Sequence, residues 1–365
     1  MPDPRFLIIA EGAFGPETSK TATSAIRYVP ERVAAVLDSR AAGRTAQDVL
    51  GFGGAIPVVG TLEAGLALGP TALLVGIAPR GGRLPEAWRA WIAAAIDRGL
   101  DVWSGLHTHL GDDPDLVARA QAKGVRLFDL RKPPAALPVA NGRARAVDAL
   151  VVLAVGTDCN TGKMTAQLEL LRGLEARGVP ARFVPTGQTG ILIAGWGIAV
   201  DAVVADFVGG AAEQMVLEAA AGVDVVLVEG QGSLIHPGYS GVTLGLLHGS
   251  APAAMILCHK ASRRLVGEYY PDTAWREIPP LGEVARIYEQ AAAWVQPAPV
   301  IGVALNTSDL PEREARAAVV RAAREAGLPA TDPVRFGAAP LVEAIARAAA
   351  RRRAARAAAG SAPPA

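Results

Sequence analysis

The stretch Val151–Ala166, VVLAVGTDCNTGKMTA, carries the densest chemistry in this chain. It reads as a buried apolar strand, a glycine-bounded turn with one lysine, and the start of a helix. That is the layout of a phosphate-cradling P-loop. Backbone N–H groups in a tight loop and the positive end of the following helix form an anion site. Lys163 adds a point charge, and it is one of only five lysines among 36 basic residues. The candidate anion-binding residues are Gly156, Thr157, Asp158, Cys159, Asn160, Thr161, Gly162, Lys163, Met164 and Thr165. The match to G-x-x-x-x-G-K-[ST] is incomplete. Gly156 stands one residue early, Thr157 occupies the expected glycine position, and Met164 replaces the Mg²⁺-binding hydroxyl. Thr165 is rotated by about 100° on a helix and does not take over that duty. The phosphate cradle is expected intact and the metal position weakened.

Three further motifs sit at expected strand ends. Pro185-Thr186-Gly187-Gln188-Thr189-Gly190 offers hydroxyls and an amide in a turn, suited to phosphate or carboxylate contacts. Glu229, in VEGQGS, closes the apolar run VDVVLV, where a carboxylate could hold Mg²⁺ or take a proton from a substrate. Asn306 could pair with an adenine edge or cap a helix. Asp206 is expected to close a strand near Ala202–Ala205, as a metal-relay or substrate-amine residue or as an N-cap. His236, on a loop beyond Glu229, is a candidate general base. His259 and Lys260 read as polar core or site rim. In the first half, Lys20 and Arg27 could grip a carboxylate or a CoA phosphate, or simply be solvated. His107, His109, Asp112 and Asp113 lack metal-ligand spacing, and no metal is assigned.

The elements that must position these groups alternate short apolar runs with Ala-rich helical stretches, the βαβ rhythm of parallel sheets. Strands are expected near Phe6–Ile9, Val33–Leu37, Val58–Val59, Ala72–Ile77, Val102–Trp103 and Arg126–Phe128. A second set is expected near Leu150–Val155, Ala181–Val184, Ala202–Ala205, Val223–Val228, Ala253–Leu257 and Val300–Leu305. Asp38, the turn Ala78-Pro79-Arg80-Gly81-Gly82 and the segment Ser104–Asp115 follow first-half strands, at ends that line ligand crevices in open α/β sheets. The expected domains are 1–130, a linker at 131–145, 146–345, and a low-complexity Ala/Arg tail at 346–365. A hydrophobic content of 51% supports a large core, and a formal net charge of +1 argues against nucleic acid or anionic membrane as main partners. Two cysteines give no disulfide scaffold. With no charged-then-apolar leader and no apolar run of membrane length, a cytoplasmic location is expected. The Ala-rich helices are compatible with a homo-oligomer.

Two resemblances follow from these residues. G-T-D-x-x-x-G-K with V-E-G-x-G, in the second half only, resembles dethiobiotin synthetase and its P-loop relatives. That resemblance implies ATP phosphates at Gly156–Thr165, Mg²⁺ held with Glu229, and adenine read by Asn306. The wider resemblance spans almost the whole chain. G-A-F…S-K-T-A…R-Y and S-G-L-H…D-D-P, followed by G-T-D-C-N-T-G-K-M-T and P-T-G-Q-T-G, are similar to the D-glutamate N-acetyltransferase (DgcN) family. It implies a Rossmann-like N-terminal parallel-sheet domain followed by a P-loop NTPase-like α/β domain. It also implies acetyl transfer from acetyl-CoA to the amine of a D-amino acid. The two join if the loop holds the CoA diphosphate. The expected roles are then amine deprotonation by Glu229, His236 or Asp206, and carboxylate binding by Lys20, Arg27, Thr186, Gln188 or Thr189. An ATP/Mg²⁺-dependent ligase or kinase, or a non-catalytic nucleotide or CoA sensor, are the other readings. The first half has no clean G-x-G-x-x-G, and no NAD is assigned to it.

Overall fold

The computed structural model describes residues 3–77, 84–268 and 272–360. The turn Ala78–Gly82 lies outside them. The chain forms two compact units, Met1–Pro133 with Ile191–Ala199, and Pro134–Gly190 with Val200–Ala365.

In the first unit β1 (Phe6–Ile9), β2 (Val33–Leu37), β3 (Val58–Val59), β4 (Ala72–Val75), β5 (Asp101–Ser104) and β6 (Leu127–Asp129) form one sheet. Its order is β3-β2-β1-β4-β5-β6, and every pair is parallel. This is the Rossmann order, whose direction of growth reverses between β1 and β4. FLII, VAAVL and ALLV are buried along their whole length, as expected for strands covered by helices on both faces. Gly76 permits one such crossing. A Cβ there would lie 2.2 Å from Ile8 Cγ2 and 2.9 Å from the Ile9 carbonyl oxygen. Asp38 is buried and accepts N–H groups from Phe14 at 2.8 Å and Arg40 at 2.8 Å, which pins the loop after β1. Asp113 caps the helix Pro114–Lys123, and the Arg89 guanidinium beside it holds its carboxyl below the usual range. His109 pairs with Asp112 at 3.4 Å.

The second unit repeats the βα rhythm. β7 (Leu150–Gly156), β8 (Ala181–Val184), β9 (Val225–Val228), β10 (Ala254–Lys260), β13 (Val300–Asn306) and β14 (Ala330–Thr331) form a parallel sheet ordered β14-β13-β10-β7-β9-β8. β11 (Leu265–Val266) and β12 (Arg276–Glu277) make a small antiparallel pair after β10. β7 is buried throughout, with β9 on one side and β10 on the other. The chain adds β8 and β9 on one flank before crossing to β10. The crevice outside the carboxyl ends is therefore at β7.

One expected strand is absent. Residues Val200–Ala202 form a single tight turn, and the helix Ala205–Ala219 follows after Val203 and Val204. Asp206 lies in that helix's first turn, where an acid complements the dipole, and Val204 is 68% exposed. The run AVVA thus reads as a helix lead-in, not a buried strand. The final helix, Ala339–Gly360, sends Leu341, Val342, Ile345 and Ala349 into the core beside β7, β9 and β10. No helix among the described residues is long and apolar enough to cross a membrane.

Candidate functional site

The loop after β7 is built around two positive backbone φ values, 53° at Asn160 and 95° at Gly162. Alternating handedness in a short loop turns successive N–H groups toward one concave side. Gly162 is the N-cap of the helix Lys163–Glu175 and has no side chain with which to cap it. The first N–H groups of that helix have no intrahelical acceptor and point at the same space. Gly156 forms the floor. A Cβ there would meet Thr161 Oγ1 at 2.8 Å and Lys163 Nζ at 3.0 Å. The Lys163 ammonium folds back onto the Asp158 carbonyl at 2.8 Å. Met164 is buried at 3% exposure, so its side chain packs in the core.

Asp158 fixes the loop from below. Its Oδ2 accepts Arg263 Nη1 at 3.0 Å and the Gly267 N–H at 2.9 Å, and its Oδ1 accepts the Cys159 N–H at 2.7 Å. Arg263 also donates to the Cys159 carbonyl. The Thr157 hydroxyl lies 2.9 Å from His259 Nδ1. Burial, with the Arg263 charge adding to it, pushes His259 down to about 4, so the ring is neutral. Burial likewise pushes the Cys258 thiol up to about 12.

The neighbouring wall comes from the ends of β8 and β9. Glu229 is buried, and its Oε2 accepts the N–H groups of Thr186 at 3.0 Å and Gly187 at 3.2 Å. The Thr186 hydroxyl donates back to the Glu229 carbonyl at 2.8 Å. Gly190 allows this approach, since a Cβ there would lie 2.4 Å from Glu229 Oε2. Gly230 brings the wall against β7. A Cβ on it would lie 1.7 Å from the Ala154 carbonyl oxygen and 3.0 Å from Lys163 Cδ. On the other flank, Asn306 Oδ1 accepts the Ser308 N–H at 3.1 Å, and its side chain borders Gly162.

The structure thus gathers Gly156–Thr165, Thr186, Glu229 and Asn306 at the carboxyl edge of one sheet. Gln188 and Thr189 open the helix Gln188–Ala194 that follows, with Thr189 buried and Gln188 half-buried. His236 lies on the loop after β9, where its Nδ1 accepts the Gly238 N–H at 3.1 Å and its ring packs on Tyr239. Asp206 is exposed on its helix and makes no contact with these groups in the described hydrogen-bond network. Lys20 and Arg27 belong to the first unit. Lys20 is exposed at the start of the helix Lys20–Tyr28, and Arg27 stacks on Phe52 at 3.8 Å. Among the described residues no three His, Cys, Asp or Glu side chains gather as a metal group.

Sequence reasoning did not find three groups that shape this site. Arg263 has no spacing signal, because its partner is 105 positions away. Gln167 bridges β7 and β9 by donating to the Val152 carbonyl at 3.0 Å and the Val228 carbonyl at 2.8 Å. Tyr288 stands on the buried face of the helix Leu281–Ala293 with Leu281, Val284, Ala285 and Ala292. A tyrosine on such a face needs a partner for its hydroxyl, and that is a legible signal.

Comparison with known proteins matches residues 39–133 to a Rossmann-like domain of unknown function, DUF1611_N. It matches residues 138–342 to a P-loop domain of unknown function, DUF1611_C. A protein of Tritonibacter scottomollicae named D-glutamate N-acetyltransferase is 42% identical over 286 residues, 78% of this chain and 84% of that one. A Pseudoalteromonas protein of the same name is 36% identical over 74% of this chain and 80% of that one. The crystal structure of a DUF1611 family protein from Anabaena variabilis ATCC 29413 is 40% identical. It superposes with a TM-score of 0.88 over 94% of this chain and 99% of that chain.

Proposed function

The chain belongs to the DUF1611 family, and from that premise we propose that it is a cytoplasmic N-acetyltransferase carrying acetyl from acetyl-CoA to the amine of a D-amino acid, D-glutamate first among them. The acceptor half of this reading is supported by the names of the two relatives. One observation carries the donor half: an anion-holding loop in which a buried methionine, Met164, takes the place of the metal-binding hydroxyl. Such a loop suits a diphosphate that is held and not hydrolysed. Coenzyme A supplies that diphosphate and an adenine, for which Asn306 is the reader. Lys163 would leave the Asp158 carbonyl to meet a phosphate oxygen.

The chemistry needs a free amine. A base takes one proton from the substrate ammonium, the nitrogen adds to the thioester carbonyl, and the C–S bond breaks to give the amide and CoA thiol. Glu229 is the carboxylate assigned as proton acceptor in this scheme, and the N–H groups of Thr186 and Gly187 on Oε2 fix its orientation. His236 takes a different part. Its Nδ1 accepts the Gly238 N–H, so the neutral ring carries its proton on Nε2. An Nε2–H is a donor suited to the developing oxyanion. The half-buried Gln188, at the start of the helix after β8, is the side chain this reading assigns to the substrate carboxylate, while the Thr186 hydroxyl is engaged with the Glu229 carbonyl. Asp206, exposed in the first turn of its helix, is given no role in this scheme.

The test is thiol release from acetyl-CoA, without ATP or Mg²⁺, across D- and L-amino acids. Release with D-glutamate that is lost in Lys163→Ala is the expected result. No release with any amine, and ADP formation from ATP instead, would overturn the reading in favour of a ligase.

A further inference from the structure

The pairing of β9 with β7 ends at Leu153 opposite Val228, where β9 itself ends, and the chain continues into the loop that carries Leu234 and His236. One side-chain atom touches both the phosphate loop and the loop after β9. Tyr288 Oη donates to the Gly156 carbonyl at 2.8 Å and accepts the Leu234 N–H at 3.0 Å, with the Gly156 N–H and Ser233 Oγ each at 3.4 Å. Gly156 is the floor of the phosphate loop, and Leu234 stands two residues before His236. Tyr288 is fully buried. We propose that Tyr288 is a positioning residue that ties the state of the phosphate loop to the loop carrying His236, so that filling the first aligns the second. The inference rests on the acetyl-CoA reading above.

The geometry favours transmission over mere packing. A phenol has one donor and two acceptor sites, and here all are engaged by two separate backbone segments. Burial pushes the hydroxyl up to about 12, so it stays a donor to Gly156 throughout the working range. Two other hydrogen bonds of the 231–239 loop do not involve the phosphate loop. Thr243 donates to the Gln231 carbonyl, and Gln231 Nε2 donates to Thr186 Oγ1. A shift of Gly156 when anion enters therefore reaches Leu234 through Tyr288. The consequence is ordered addition, acyl donor before amine.

The experiment is amide hydrogen exchange on the full chain with and without CoA, in the wild type and in Tyr288→Phe. In the wild type CoA is expected to slow exchange at 157–163 and at Leu234 together. In Tyr288→Phe the first stretch still responds and Leu234 does not. The variant is also expected to lose kcat/KM for D-glutamate by roughly tenfold, with CoA affinity changed less than about threefold. A purely structural role would lower Tm without that split. Protection of 157–163 without Leu234 in the wild type overturns the proposal, and needs no variant to fold. Protection of neither stretch overturns the CoA reading itself and this inference with it.

Discussion

Replacing Arg263 by methionine removes the positive partner of a carboxylate that has almost no access to water. The two side chains are 5% and 1% exposed, with Nη1 and Oδ2 3.0 Å apart. At that distance and an effective dielectric of about 20, the direct attraction is roughly 5 kcal/mol. Breaking one side of a buried pair generally costs about 3–5 kcal/mol. Asp158 would keep the Gly267 and Cys159 N–H groups, which places the expected loss near the lower end, about 3 kcal/mol. For a unit of this size that corresponds to a Tm fall of about 6–12 °C. Urea unfolding of Arg263→Met, Asp158→Asn and the double variant measures it. The double variant should lose clearly less than the sum of the singles. A loss under about 1 kcal/mol in Arg263→Met, or full additivity, would show that the phosphate loop does not depend on this pair.

Gly230→Ala forces a Cβ to within 1.7 Å of the Ala154 carbonyl oxygen, so it should cost about 3 kcal/mol and weaken CoA binding, checked by denaturation and calorimetric titration. Asn306→Ala is expected to lower CoA affinity about tenfold while Tm moves only a few degrees, and unchanged affinity would remove Asn306 from adenine recognition. His259 is depressed from 6.5 to about 4 by burial. Above pH 6.5 it is neutral folded and unfolded. Between 6.5 and about 4 only the unfolded chain takes the proton, so stability falls through that window and no further below it. His259→Gln should flatten that limb of a urea-midpoint profile, and parallel profiles would contradict the assignment.

The fold was legible because each buried strand is an unbroken apolar run, as in FLII, VAAVL and VVLV. β11, β12 and β14, each two residues long, were not read from the sequence. The Ala202–Ala205 run misled because apolarity without a neighbouring strand is also how a surface helix begins. The phosphate loop and Glu229 were visible as glycine-flanked polar groups at strand ends. What those groups bond was not visible, because Asp158–Arg263 and Gly156–Tyr288 are tertiary pairs with no local pattern. Lys20 and Arg27 illustrate the same limit. The stacking of Arg27 on Phe52 has no local sequence pattern either.

The closing helix has a consequence for how the protein is made. Leu341, Val342, Ile345 and Ala349 cover β7, β9 and β10, and Arg352 and Arg356 grip the Ala146 and Val147 carbonyls just ahead of β7. Synthesis delivers these residues after every strand of that sheet. Until they emerge, the nascent second unit holds a finished phosphate loop on a sheet with one greasy face bare, while most of the first unit is already complete. A ribosome that stalls or a message that ends early would therefore release a sticky chain. Loss of residues 341–349 acts on the folding step itself.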